Sequence, residues 1–180
     1  MDDRAAVAAQ LEREPRSRID VAARCHLEIP VVIIVPPHLD DGTPFPTTYW
    51  LTCPLASRRI GRLESAGGVK AAEQRLESDP DLVRRHEATM ERYAAQRDAR
   101  VDESLDRPRP SGGVAGAAAG VKCLHAHYAD FAAGNDNLVG EWTAAEIEPL
   151  DCSITCVAPV EGAVIRNPQW REPKRQGRPA

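Results

Sequence analysis

The stretch Val121 to Asp130, "VKCLHAHYAD", brings one thiol, two imidazoles and one carboxylate into ten residues. Three kinds of chemistry fit those types. They can ligate a metal, they can act as a nucleophile with its base, or they can be the polar residues of an ordinary helix. On a continuous helix at 100° per residue, Cys123, His127 and Asp130 fall within about 60° of one another and form one stripe. His125 then points to the opposite side, so a helix through the whole segment cannot direct both Cys123 and His125 at one metal ion. If Gly120 to Lys122 are still loop, Cys123 instead stands at the helix N-terminus, where free amides and the helix dipole favour a thiolate. In that case Cys123 and His125 can converge.

The other cysteines bear on the choice. Cys25 and Cys53 each close a predicted strand, and together with Cys123 and either His125 or His127 they would supply four nitrogen and sulfur ligands. Such a set suits tetrahedral zinc or, with three thiolates, an iron–sulfur cluster. No CxxC pair is present. The metal-free alternative makes Cys123 a nucleophile, His127 or His125 its base and Asp130 the orienting carboxylate. The helix-only alternative leaves Cys123 buried, as free cysteines commonly are. Cys152 and Cys156, in "CSITC", have a spacing that can hold metal or form a reversible disulfide but is also met incidentally.

The elements that must position these residues follow from local pattern. Residues 4–13, rich in Ala, Leu, Glu and Arg, predict a short helix ended by Glu14-Pro15. "SRIDVAARC" alternates as a strand buried on one face, "PVVIIVP" is a β-branched run for a strand covered on both, and "TTYWLTC" is a third. Between the last two, the proline-rich loop 36–46 contains Asp40-Asp41-Gly42, a turn sequence, and His38, an additional potential ligand. After Pro54 the periodicity is helical. Helices are expected at 55–66, at 69–78, from Pro80 to about Val101 with His86 on the apolar edge, up to Gly134 in the opening segment, and in "EWTAAEIEPL". Arg58, Arg59 and Arg62 could favour an anionic partner, though the expected state is a solvated helix face.

Residues 102–120, dense in Pro, Gly and Ser, are expected to be a mobile loop, and the segment from 158 to 180 a disordered tail. The expectation is therefore one α+β domain over residues 1–157. In it, a small antiparallel three-stranded sheet packs against about five helices.

Composition narrows the function classes. The formal net charge is −4 with both signs interspersed, so no basic field exists to hold nucleic acid. The longest apolar run is about nine residues, far below the roughly 20 that span a bilayer, so no membrane insertion is expected. The acidic start "MDDRAAVAAQLEREP" lacks the form of a signal peptide, which predicts a cytoplasmic protein. In that compartment the five cysteines are expected to be thiols or ligands rather than disulfides. The partner would be a small molecule or another protein.

The strings "DGTPFPTTYWLTCP", "GRLESAGGV", "GVKCLHAHYAD" and "NLVGEW" together resemble an actinobacterial family known as domain of unknown function 501. The resemblance runs from about Arg13 to Trp142. Its shared landmarks fall here on Arg24-Cys25, Leu51 to Pro54 and Lys122 to His125, and Asp130 departs from it where members carry a histidine. The resemblance implies that Cys25, Cys53, Cys123 and His125 belong to one metal constellation, with zinc or an iron–sulfur cluster as cofactor. His127 and Asp130 would then be left for proton transfer. It names no activity. Genes of similar proteins tend to lie near those for a septum-formation protein and an exopolyphosphatase, which implies an alternative role as an interaction protein in cell division or phosphate metabolism.

Overall fold

A computed structural model describes residues 1–104 and 106–174. Six α-helices and five strands occur among them. The three strands β1 (Asp20–Arg24), β2 (Pro30–Ile34) and β3 (Tyr49–Leu51) form an antiparallel sheet with β2 in the middle. Register is set by Val21 opposite Ile33 and by Val32 opposite Leu51. The uninterrupted apolar run of β2 reflects cover on both sides. Val7 of helix α1 (Asp3–Leu11) clusters with Ile33, Val35 and Leu39, whereas Val32 belongs to the larger cluster with Leu51, Leu55, Leu124 and Tyr128.

The larger cluster is built by α2 (Pro54–Ser65), α3 (Gly68–Glu77), α4 (Pro80–Asp98), α5 (Leu124–Ala132) and α6 (Leu138–Ile147). Helices α5 and α6 approach closely because position 140 is glycine: a Cβ there would stand 2.4 Å from the His127 carbonyl oxygen and from the Phe131 Cβ. Two polar caps start the neighbouring helices. Asp79 accepts from the Asp81 amide and Asn137 from the Gly140 amide.

Asn137 is also the hub of a buried network. Arg92 of α4 makes a two-pronged contact with Asp130 of α5, at 3.1 and 2.5 Å, and the Asn137 amide donates to the same carboxylate at 2.8 Å. The Asn137 oxygen accepts from His127 Nδ1 at 3.0 Å. Asp130 has no exposed surface, and a buried carboxylate needs such a full set of donors. His86 bonds the Gly120 carbonyl and lies 5.5 Å from the His127 ring, centre to centre. His127 and Asp130 thus tie α4, α5 and α6 together.

Two expectations need correction. Part of the segment expected to be a mobile loop is packed: Val114 to Gly116 form a 3-10 turn with Val114 fully buried, and Arg97 bonds the Gly112 carbonyl. Gly113 lies against Met90, where a Cβ would meet the methionine side chain at 2.7 Å. The tail is structured as well. Strands β4 (Val157–Val160) and β5 (Ala163–Arg166) form a hairpin that contacts α1. Its two-residue turn, Glu161-Gly162, has both φ angles positive, the backbone that such hairpins require. Residues 175–180 of the expected tail lie outside the described residues.

The expected solvated face of α2 also differs. Arg59 is buried, its side chain 5% exposed, and it donates to the carbonyls of Ile147 and Pro149 at 2.6 and 2.5 Å and to Asp151 at 3.0 Å. Arg58 stacks over Trp170, and Arg62 pairs with Glu172. The three cations grip the chain's own C-terminal segment.

Two outcomes follow. Arg59→Met keeps most of the volume but leaves the buried Ile147 carbonyl and the part-buried Pro149 carbonyl without donors, at a cost of about 1–3 kcal/mol; amide exchange across residues 148–170 should accelerate while β2 stays protected. Unchanged exchange there would remove Arg59 from its clamping role. Burial pushes His127 down to about 4, opposed by its bond to Asn137 and reinforced by His86. Because its folded value lies below the unfolded 6.5, the unfolded chain binds more protons between these values. Stability should therefore fall by up to about 3 kcal/mol as pH drops from 6.5 toward 4. Urea unfolding at several pH values should show a shallower acid slope in His127→Gln than in the parent chain.

Candidate metal centre

Helix α5 begins at Leu124, and Cys123 is its N-cap with extended backbone, φ −160° and ψ 121°. The loop therefore runs through Lys122, which is the condition under which Cys123 and His125 face one point. They do so, and the third member is Glu64, from the last turn of α2. One ligand atom from each of Glu64, Cys123 and His125 lies within 4.8 Å of the other two, and all three side chains are half-buried. Glu64 reaches the site because it caps α5: its Oε1 accepts the Leu124 amide at 2.6 Å, a favourable placement for a carboxylate at a helix N-terminus.

His125 sits between two acceptors. Nδ1 is 3.2 Å from Glu64 Oε2, and Nε2 is 3.1 Å from the Ser57 carbonyl. Neither acceptor can donate a proton, so without a metal both ring nitrogens carry one. Burial alone would lower the His125 value, but the Cys123 side chain, the Glu64 charge and the Ser57 carbonyl together raise it to about 9.

The remaining predicted ligands lie elsewhere. Cys25 follows β1, and Cys53 is the N-cap of α2. Both line a small cavity that Cys123 and His125 do not reach, and Cys152 and Cys156 line it with them. The expected constellation of Cys25, Cys53, Cys123 and His125 is therefore divided in two. The reason is topological: the first pair sits where strand ends meet the C-terminal segment, the second where α2 ends and α5 begins. All five cysteines are free thiols. Burial pushes the Cys53 thiol up to about 12 and raises Cys152 and Cys156 as well.

His127 and Asp130 do not face Cys123; they belong to the interhelical network described above. His127 Nε2 is buried without a hydrogen-bond partner. In the proline-rich loop, Asp41 accepts the Thr43 amide and pairs with Arg16 at 2.6 Å, as a turn former does. Those interactions hold its carboxyl down to about 2. His38 bonds the Pro108 carbonyl. The loop's Leu39 and Phe45 line a groove with Ile33 and Trp50, apart from both cysteine groups.

Sequence reasoning did not identify Glu64, because a glutamate in the last turn of a helix carries no ligand signature. Cys152 and Cys156 had a spacing signal, but their segment reads as a frayed end. A cleft of about 530 Å³, flanked by Arg24, His26, Tyr128 and Glu148, reaches Cys25 from the solvent side.

Among the described residues no helix is long and apolar enough to cross a membrane. No curated protein and no solved structure matches the chain. Residues 21–145 match the family described as "Protein of unknown function (DUF501)", a span that contains Cys25, Cys53, Glu64, Cys123 and His125. Since it covers well over half of the 180 residues, the chain belongs to that family.

Proposed function

We propose that the protein binds a divalent transition-metal ion, zinc by its donor chemistry, through Cys123 Sγ, His125 Nδ1 and the Glu64 carboxylate, and that this centre is hydrolytic. The observation that carries the reading is the convergence of one sulfur, one imidazole and one carboxylate within 4.8 Å at the junction of α2 and α5. Borderline-soft zinc accepts all three donor types. The contact of His125 Nε2 with the Ser57 carbonyl supports it, since ligating imidazoles commonly donate their other N–H to such a partner. Three protein ligands leave one position open, and zinc held that way supplies Lewis-acid chemistry to water or a polar substrate. Glu64 would ligate through Oε2 while its Oε1 fixes the start of α5.

A second reading has its own support. Cys123 at a helix N-cap beside a protonated imidazole is also the arrangement of a thiol nucleophile. The two differ in what protects the thiol. Zinc titration of the full chain, followed calorimetrically, should give a binding event for this site that weakens on the order of 100-fold in Cys123→Ala and His125→Ala and less in Glu64→Gln. Bound zinc should also slow alkylation of Cys123 by iodoacetamide. Rapid alkylation at an unchanged rate with zinc present would reject the metal reading in favour of the nucleophile.

A further inference from the structure

The pair Cys152 and Cys156 takes no part in the site proposed above, nor do Cys25 and Cys53. We infer that these four cysteines form a second, all-thiolate metal centre that holds a thiophilic metal, either a single zinc or an iron–sulfur cluster. It shares no residue with the Glu64, Cys123 and His125 site, so either can fail without the other.

The inference starts from convergence. Three stretches far apart in the chain, at the end of β1, at the start of α2 and between α6 and β4, bring four thiols to the wall of one cavity. The rest of that wall is mostly apolar, with Leu27, Ile29, Val31, Leu55 and Leu150 among it, and no carboxylate, imidazole or cationic side chain lines it. The free space is about 10 Å³, which suits one small species and not an organic substrate. Four sulfurs sharing one dry space are what a soft cation requires, and nothing else in that wall would balance its charge.

Donors are already aimed at the sulfurs. Trp170 Nε1–H points to Cys152 Sγ at 3.4 Å and Gln10 Nε2–H to Cys156 Sγ at 3.6 Å. The first amides of α2, at Leu55 and Ala56, face Cys53. Neutral thiols are weak acceptors, whereas metal-bound thiolates are tuned and held by such N–H groups. His26 in turn fixes the loop by bonding the Cys152 carbonyl at 2.9 Å.

Spacing distinguishes the two occupants. Among the described residues, the group whose ligand atoms all lie within 4.8 Å is the Glu64 trio, so the cavity thiols stand wider. A tetrahedral zinc with bonds of about 2.3 Å needs sulfur–sulfur edges of about 3.8 Å. Zinc would therefore draw the 152–156 loop inward, while a cluster, with several metal atoms between the thiolates, matches the wider spacing but must push that loop outward to make room.

The test uses the full chain purified without oxygen and without added metal, alongside Cys123→Ala, alone and combined with Cys152→Ser or Cys156→Ser. Zinc, iron and acid-labile sulfide are measured with an absorption spectrum. The expected result is about one centre per chain in Cys123→Ala, reduced at least tenfold when Cys152→Ser or Cys156→Ser is added to that variant; the parent holds this centre together with any zinc at the Glu64 site. Zinc without sulfide identifies the mononuclear centre, and iron with sulfide the cluster; either supports the inference. Should a serine variant misfold, alkylation of the native parent read by mass spectrometry decides the matter. Cys25, Cys53, Cys152 and Cys156 should be protected together and become reactive together after chelation. Folded Cys123→Ala protein holding neither metal and giving no thiolate charge-transfer band with cobalt(II) would overturn the inference. So would a Cys152–Cys156 disulfide in metal-free protein as isolated.

Discussion

The buried guanidinium of Arg59 is the constraint on which the C-terminal half of the architecture depends. Its donors satisfy the carbonyls of Ile147 and Pro149 and pair with Asp151, so the chain leaving α6 must turn back across α2. A lysine would be a poor replacement, because its donors radiate from one compact nitrogen, whereas Arg59 meets these acceptors from two nitrogens of one planar fork. Once that turn is fixed, the segment up to Trp170 has one place to lie. Trp170 packs under Arg58, with Arg166 at 5.9 Å from its ring centre, and the β4–β5 hairpin covers α1. Cys152 and Cys156 are carried to the strand ends as a result. A charge taken out of water is costly, and here the return is the placement of some 25 residues that have little periodicity of their own.

A second polar network positions the other cysteine. Arg92, Asp130, Asn137 and His127 lock α5 between α4 and α6, and Gly140 allows the close crossing. With α5 held at that depth, its N-terminus meets the last turn of α2, and Glu64 satisfies the Leu124 amide. The residues that look most catalytic in a linear reading, a histidine and an aspartate one turn apart, thus do the positioning. The half-exposed thiol and imidazole beside the helix start keep access to solvent. Burial separates the two roles: an Asp130 carboxylate with no exposed surface and two committed donors has no freedom to exchange protons with a substrate.

Much of the fold is legible in the sequence. The β-branched run of β2 and the Pro80 start of α4 place the central strand and the longest helix with small errors at the ends. The one-face alternation read in β1 is instead broken by register shifts between Val21, Ala23 and Arg24, and Ala22 and Ala23 are half-buried alike. What escaped has a common cause. The 113–117 turn and the β4–β5 hairpin are held by tertiary contacts, with Met90, Arg97 and α1, and not by local pattern. A segment of Gly, Pro and Ala offers neither apolar spacing nor a cap to read, and Glu161 in a positive-φ position masks a turn that Asn-Gly would have announced. The proposed metal ligands divide the same way. Cysteine and histidine mark themselves by chemistry, whereas Glu64 is one of many helix-end glutamates until α5 is placed beside it.

The two cysteine groups differ in the way a metal chemist would expect of different tasks. Glu64, Cys123 and His125 combine hard, intermediate and soft donors at a half-exposed helix junction, a set that leaves room for an exchangeable ligand. The thiols of Cys25, Cys53, Cys152 and Cys156 share an apolar wall, and three of them, Cys53, Cys152 and Cys156, already have N–H donors, conditions that suit a closed centre whose binding energy adds to folding. Their spread along the chain reinforces this. The first group is complete within the family's matched span, which ends at residue 145, before Cys152. The second group needs the segment that Arg59 folds back. Metal in the four-thiol cavity would therefore act on the C-terminal segment with the same sense as the Arg59 clamp. By holding β1, α2 and the 148–156 loop together, it would also steady one wall of the open cleft that reaches Cys25.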